Sequence, residues 1–106
     1  MGKMNFDVSH SLPKPEARQR IEQLLKYWKD KYNVQSTWAG DGAKLSGKVM
    51  GINLDAHFTI TDGAIKGEGT DPGMLLRGKA KDYLQKKFTT VLDPTKSLAD
   101  VGKALA

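Results

Sequence analysis

A strict alternation of apolar and polar residues between positions 52 and 60 is the strongest constraint on the fold of this chain. Every second residue from Ile52 to Ile60 is apolar, and the residues between them are polar. A second alternation ends at Val49, so the parity changes at Met50-Gly51. Such alternation is typical of a strand with one buried face, and a parity change is typical of a tight turn or bulge. The pattern therefore predicts a one-sided antiparallel sheet.

Three further strands complete the predicted sheet. Residues 4–8, 34–38 and 64–69 have strand-like patterns, and Asp62-Gly63 before the last of them is a hairpin signal. Short turns between consecutive strands favour antiparallel pairing. The two glycines of the last strand, at positions 67 and 69, indicate a strand that a helix approaches closely.

Two segments with helical periodicity accompany the strands. Pro15 suits the first turn of a helix because it lacks an amide proton, and apolar residues recur at helical spacing from Ala17 to Tyr32. A second helix is predicted with Asp71 as N-cap and Pro72 at its first position, ending before Asp93-Pro94. Its apolar stripe consists of Leu76, Ala80, Tyr83, Leu84, Phe88 and Val91.

The order of these elements predicts a single α+β domain over residues 1–106, with the sequence strand, helix, four strands, helix and tail. Both helices are expected on one face of the antiparallel sheet, with the other face in solvent. We expect residues 1–3 and 94–106 to be flexible. Within the tail, Leu98, Val101 and Leu105 leave two alternatives open, a further weak helix or a frayed end.

Composition excludes several classes of protein. The chain has no cysteine, which rules out disulfides and thiolate zinc sites and fits a reducing cytoplasm. No segment approaches the roughly 20 apolar residues of a membrane helix. We therefore expect a cytoplasmic protein without a transmembrane segment.

The net charge of +5 is unevenly distributed along the chain. Residues 1–35 carry seven bases and four acids, residues 36–72 three and five, and residues 73–106 seven and three. A basic excess is typical of a solubilising surface, and it also suits nucleic acid, anionic lipid or an acidic partner. The basic second helix lacks exposed aromatic residues between its bases, which argues against single-stranded nucleic acid.

No arrangement of reactive residues is recognisable. His57 follows Asp55 by two residues on the polar side of a strand, but no activated nucleophile accompanies them. His10 is expected at the rim of the first strand. Metal-ligand spacings and phosphate-binding glycine motifs are absent, so we expect no enzyme activity, no metal and no cofactor.

Several short segments together resemble a known family. They are FDVSHSL at 6–12, EAR at 16–18, WAGD at 38–41, GKVMGI at 47–52 and MLL at 74–76. On these segments the chain resembles the bacterial polyhydroxyalkanoic acid system proteins over roughly residues 4–92. It departs from them around Asp71-Pro72-Gly73 and in the tail.

The resemblance implies a cytoplasmic protein of bacteria that store polyester granules, with an accessory role at the granule and no implied reaction. The order of elements is also similar to a reduced helix-grip fold, in which a long C-terminal helix lies across a curved sheet. That likeness would leave room for a small apolar cavity, and it is an analogy at the level of the fold.

Three hypotheses follow for function. The first is a non-enzymatic accessory protein that binds the granule surface or granule proteins. In it the second helix presents Leu75, Leu76 or Phe88 to the apolar surface, although the core needs the same stripe. Its lysines would meet anionic headgroups, and the candidates are Lys79, Lys86 and Lys87.

The second hypothesis is a domain that binds an apolar or acyl ligand in a cavity lined by Trp38, Phe58 and Tyr83. The alternative role for Trp38 is to anchor a helix against the sheet, because a tryptophan ring carries a large apolar area. The third hypothesis is a binder of nucleic acid or an acidic partner through the basic helices.

Overall fold

A computed structural model describes residues 3–49, 52–70 and 73–105 of the chain. The described residues form an α+β fold, which confirms the class predicted from the alternation. The elements in chain order are β1 (Lys3–Ser9), α1 (Lys14–Tyr32), β2 (Gln35–Ala39), β3 (Gly42–Val49), β4 (Ile52–Thr61), β5 (Ala64–Thr70), α2 (Met74–Val91) and α3 (Leu98–Leu105).

The five strands form one antiparallel sheet in the order β1-β5-β4-β3-β2. Helix α1 carries the chain from one edge of the sheet to the other, and the strands then return by short turns. The β4–β5 hairpin turns at Asp62-Gly63 as predicted, with Gly63 at a φ of 88°. Strands β3 and β4 are paired up to Val49 and Ile52, and the predicted break at Met50-Gly51 lies outside the described residues.

One face of the sheet is buried and the other is polar and exposed. The buried face includes Val8, Phe58 and Ile65, each at most 1% exposed. Helix α1 packs against β2, β3 and β4, helix α2 packs against β1, and α3 packs against both helices. Because the apolar residues alternate with polar ones, a single register places the apolar residues of a strand on the same face.

Gly67 is crowded by its neighbouring strands and not by the helix that was predicted to approach it. Gly67 pairs with Phe6 on one neighbouring strand and with Phe58 on the other. A Cβ atom at Gly67 would lie 2.6 Å from Phe6 Cζ and 2.7 Å from Phe58 Cβ. Two phenylalanines of the adjacent strands therefore occupy the space that a side chain would need, so the expected close approach by a helix was wrong.

The ends of the helices follow partly from local sequence. Helix α1 ends at Tyr32, and Asn33 adopts the left-handed conformation (φ 59°) that satisfies terminal carbonyls. Helix α2 begins at Met74 with Gly73 (φ 100°) as its N-cap residue. The predicted cap at Asp71 and Pro72 lies outside the described residues.

The tail forms helix α3, which is the first of the two alternatives left open by the sequence. Val101 and Leu105 are at most 4% exposed and belong to the hydrophobic core. The chain thus uses these two side chains to extend the interface with α1 and α2.

A buried arginine attaches the segment after α2 to helix α1. Arg20 is 3% exposed, and its guanidinium donates hydrogen bonds to the backbone oxygens of Val91 (3.2 Å), Asp93 (2.8 Å) and Lys96. It also pairs with Glu16 at 3.3 Å. A cation at the C-terminal end of a helix suits both the unpaired carbonyls and the helix dipole. Arg20 therefore fixes where α2 ends relative to α1.

Candidate functional site

Helix α2 is buried at one end and exposed at the other. Phe88 and Val91 have no measurable exposure, whereas Leu76 is 43% exposed. Trp28 of α1 contacts the rings of both Tyr83 and Phe88, and Arg20 reaches Val91, so the two helices run antiparallel. Leu76 lies about 10 Å along α2 from Tyr83, whereas α1 ends about 6 Å beyond Trp28. The first turns of α2 therefore extend past the end of α1.

The exposed part of α2 presents one continuous face. At 3.6 residues per turn, five predicted site residues with described side chains fall within an arc of about 100° on the side away from Phe88. Leu76, Lys79 and Lys86 are exposed, Tyr83 is 36% exposed, and Lys87 is half-buried. We call this surface the outward face, and it consists of Leu76, Lys79, Tyr83, Lys86 and Lys87. The side chain of Leu75 lies outside the described residues.

Of the other two predicted site residues, Phe58 lies in the core and Trp38 is half-buried against it, away from this face. Phe58 is 1% exposed, and its ring makes edge contacts with Trp38 at 5.9 Å and with Phe88 at 5.8 Å between centroids. The guanidinium of Arg18 lies 4.3 Å from the centroid of the half-buried Trp38 ring. These contacts place Trp38 in the role of an anchor between α1 and the edge strand β2.

Trp38, Phe58 and Tyr83, which were predicted to line a cavity, line neither of two clefts between described residues. The ring of Phe58 instead contacts those of Trp38 and Phe88. A cleft of about 530 Å³ lies between the β1 side of the sheet and α2, and a second of about 380 Å³ lies near the end of α2. The first is lined by Asn5, Phe6, Asp7, Lys66, Gly67, Lys81 and Gln85, and the second by Ser9, His10, Ser11, Thr89, Leu92, Asp93 and Pro94.

Side chains of helix α1 lie beside the outward face, and the sequence analysis did not select them. Lys31 Nζ donates a hydrogen bond of 3.1 Å to the hydroxyl of Tyr27. Lys87 Nζ lies 5.0 Å from the centroid of Tyr27 and 5.6 Å from that of Tyr83. Tyr27 and Lys31 are four residues apart on α1, so their contact could have been predicted from the sequence. Their proximity to α2 depends on tertiary packing and had no sequence signal.

The two tyrosines of this junction have pKa values shifted in opposite directions. Burial raises the pKa of Tyr83 to about 12, although its hydroxyl also accepts a hydrogen bond of 3.0 Å from Trp28 Nε1. The hydrogen bond from Lys31 lowers the pKa of Tyr27, and the charge of Lys87 acts in the same direction. The hydroxyl of Tyr27 therefore lies in a locally positive environment.

Neither histidine lies near this face. His57 Nε2 is 3.0 Å from Glu68 Oε1 on the exposed side of the sheet, and its partner is thus not the Asp55 suggested by the sequence. His10 Nδ1 accepts the amide proton of Leu12, and its Nε2 is 3.0 Å from the carbonyl oxygen of Thr61. Among residues 3–49, 52–70 and 73–105, no group of three His, Cys, Asp or Glu side chains is arranged to hold a metal ion.

These observations define a small antiparallel α+β domain that carries a basic, partly apolar helix face. Within the described ranges, no helix has both the length and the apolar character needed to cross a membrane. A family model described as "Putative polyhydroxyalkanoic acid system protein" matches residues 4–95, and the chain belongs to this family. The match confirms the resemblance seen in the sequence. No curated protein and no solved structure matches the chain.

Proposed function

We propose that this protein is a non-enzymatic accessory of a bacterial polyhydroxyalkanoate storage system. In this proposal, it binds the surface of cytoplasmic polyester granules through the outward face of α2. The family supplies the link to the storage system. The observation that carries the proposal is the exposure of Leu76 among lysines on a helix whose other end is in the core.

The division of α2 removes a conflict that the sequence analysis left open. The apolar stripe was needed both for the core and for the granule surface. In the structure Phe88 and Val91 belong to the core, so Phe88 is not available for docking as was expected. Leu76 remains on the surface of the same helix. One conformation of the chain can therefore serve both purposes.

The charge of α2 suits an anionic layer around an apolar body. The helix contains five basic residues and one acidic residue, Asp82. Helices that lie in an interface combine an apolar face with lysines that reach the headgroups, and each basic residue near an anionic surface adds about 1 kcal/mol. Lys79 and Lys86 lie on the outward face beside Leu76 and can make such contacts.

Co-sedimentation with polyester granules coated with anionic phospholipid tests the proposal. We expect the protein to sediment with the granules at physiological salt. Leu76→Ser removes the exposed apolar contact and should weaken binding by about tenfold, because burial of a leucine contributes about 1.5–3 kcal/mol. The matched control is Leu98→Ser on α3, since Leu98 is 38% exposed and lies outside the outward face.

The contribution of charge is measured in the same assay. Lys79→Gln with Lys86→Gln should weaken granule binding and reduce its dependence on salt. The control pair is Lys44→Gln with Lys48→Gln, whose side chains are exposed on the sheet. The absence of co-sedimentation at physiological salt would remove the proposal, as would equal losses from Leu76→Ser and Leu98→Ser.

Single-stranded nucleic acid is the alternative partner, and it would contact the same lysines. Substitution of Leu76 distinguishes it from a granule surface. Tyr27, Tyr32 and Tyr83 lie among Lys31 and Lys87, which gives this face the aromatic component that the sequence analysis did not find. Filter binding across a range of salt would show a steep slope for phosphate contacts. Nucleic-acid binding unaffected by Leu76→Ser would favour this alternative over granule docking.

A further inference from the structure

A second feature of the α1–α2 junction is separate from the exposed Leu76 that carries the granule-docking proposal. Two ammonium groups from different helices approach the same tyrosine. Lys31 Nζ is 3.1 Å from the hydroxyl oxygen of Tyr27 and 5.4 Å from its ring centroid. Lys87 Nζ is 5.0 Å from that centroid. The fold therefore places two positive charges beside one neutral side chain.

The described residues provide no anion to balance these charges. The carboxylates of α1 that form ion pairs are committed elsewhere, Glu16 to Arg20 at 3.3 Å and Glu22 to Arg18 at 3.6 Å. Within the part of the chain that the structure describes, Lys31 and Lys87 form no ion pair with a carboxylate. Two like charges held close together favour the binding of an external anion.

Aromatic rings restrict the positions of both ammonium groups. Lys31 Nζ also lies 5.8 Å from the centroid of Tyr32, and Lys87 Nζ lies 5.6 Å from that of Tyr83. These distances are within the range of cation–π contacts, and Tyr83 is itself held by a hydrogen bond from Trp28. Lysines that are already positioned lose less conformational entropy when they bind a ligand.

We propose that Lys31, Lys87 and the hydroxyl of Tyr27 form a binding site for a phosphate group. Lysine binds phosphate as a compact point charge, and a tyrosine hydroxyl can donate a hydrogen bond to a phosphate oxygen. The pKa of Tyr27 is lowered by the hydrogen bond from Lys31, which agrees with this assignment because the two lysines favour negative charge at this position. The group can belong to a small phosphate monoester or to a lipid headgroup, and the site does not depend on granule binding.

Titration with glycerol 3-phosphate at constant ionic strength, followed by calorimetry, tests the site in solution. We expect saturable binding that Lys31→Gln and Lys87→Gln each weaken by at least about tenfold, because each removes a charge-assisted contact. The controls are Lys29→Gln on α1 and Lys44→Gln on β3, both at exposed positions. Absence of saturable binding to both glycerol 3-phosphate and phosphatidic acid vesicles, or equal effects of all four substitutions, would overturn the proposal.

Vesicles distinguish the two sources of phosphate. Phosphatidylcholine vesicles are compared with and without phosphatidic acid, in flotation assays with the same four variants. Binding of phosphatidic acid vesicles alone, sensitive to Lys31 and Lys87, assigns the site to a headgroup. Binding of glycerol 3-phosphate alone, with the same sensitivity, assigns it to a small molecule. Leu76→Ser should retain glycerol 3-phosphate binding even where it loses granule binding, which separates this proposal from the proposed function.

A spectroscopic readout checks the site without relying on affinity. Bound phosphate neutralises the field of the two lysines, so it should raise the pKa of Tyr27 in an ultraviolet titration of tyrosinate. Tyr27→Phe identifies the signal that belongs to Tyr27. An equal shift with chloride at the same ionic strength would show screening alone and would contradict a specific site.

Discussion

The two long helices both carry apolar residues at helical spacing, more weakly in α2, and their burial in the structure is very different. Helix α1 buries residues from Ala17 to Trp28, over slightly more than three turns. Among the side chains of α2 that the structure describes, full burial is confined to the last turn, at Phe88 and Val91, and Leu76 is 43% exposed. The difference arises because α1 lies over three strands, whereas α2 packs against the edge strand β1 and extends past the end of α1.

This comparison shows what an amphipathic pattern does and does not specify. Periodicity identifies the side of a helix that is suited to burial. Whether that side is covered depends on how much partner surface the rest of the chain supplies. For α2 that surface ends near Tyr83, and the apolar residue beyond it remains available to another molecule.

The largest expected difference in stability is between substitutions at the two ends of α2. Phe88→Ala should lower the free energy of unfolding by about 4 kcal/mol, because it removes a fully buried ring that contacts Phe6, Trp28 and Phe58. Leu76→Ala should change it by less than about 0.5 kcal/mol, as an exposed position does. Urea denaturation measures both values. Similar losses at the two positions would show that the whole stripe is core.

A smaller loss of stability is expected from substitution of Arg20, which connects α1 to the end of α2. Arg20→Met should cost about 3 kcal/mol, since it leaves buried carbonyl oxygens of the α2–α3 connection without a donor. The matched substitution Arg18→Met removes an exposed arginine that stacks on Trp38 and should cost less than about 1 kcal/mol. Equal losses in urea denaturation would contradict a special role for the buried guanidinium.

The smallest expected loss of stability comes from substitution of Tyr83, at the contact between α1 and α2, and it depends on pH. Tyr83→Phe removes the acceptor of the Trp28 indole proton and should cost about 1 kcal/mol at neutral pH. The pKa of Tyr83 is raised from 10.0 to about 12, so the folded state favours the neutral phenol. That stabilisation is complete below pH 10 and is lost as the pH rises towards 12.

Denaturation at increasing pH checks the titration of Tyr83. The wild-type protein should lose stability between pH 10 and 12 more steeply than Tyr83→Phe. Identical alkaline slopes for the wild type and Tyr83→Phe would show that the hydroxyl of Tyr83 remains in solvent at the junction.

Most of the fold could be predicted from local pattern. The alternation from Ile52 to Ile60, the hairpin at Asp62-Gly63 and the helix end at Asn33 each depend on neighbouring residues alone. The antiparallel class followed from short connections between strands. A glycine within a predicted strand indicated crowding at position 67. Which residues cause the crowding depends on the strands that lie beside β5.

The functional surface was only partly predictable because it depends on tertiary packing. The positions of Lys79, Lys86 and Leu76 on one helix face followed from their spacing. The exposure of Leu76, the burial of Phe88 and the approach of Lys31 to Lys87 around Tyr27 depend on where α2 crosses α1. Trp38 and Phe58 were selected for their size; Phe58 lies in the core, and the half-buried Trp38 packs against it.

Hydrogen exchange along α2, with and without coated polyester granules, tests the central claim most directly. In the free protein we predict faster amide exchange in residues 76–83 than in residues 84–91, because few core contacts hold the first segment. On the granule we predict slower exchange in residues 76–83 and little change in the strands. Granule-bound protein with unchanged exchange in residues 76–83, or with protection confined to the sheet, would contradict the account.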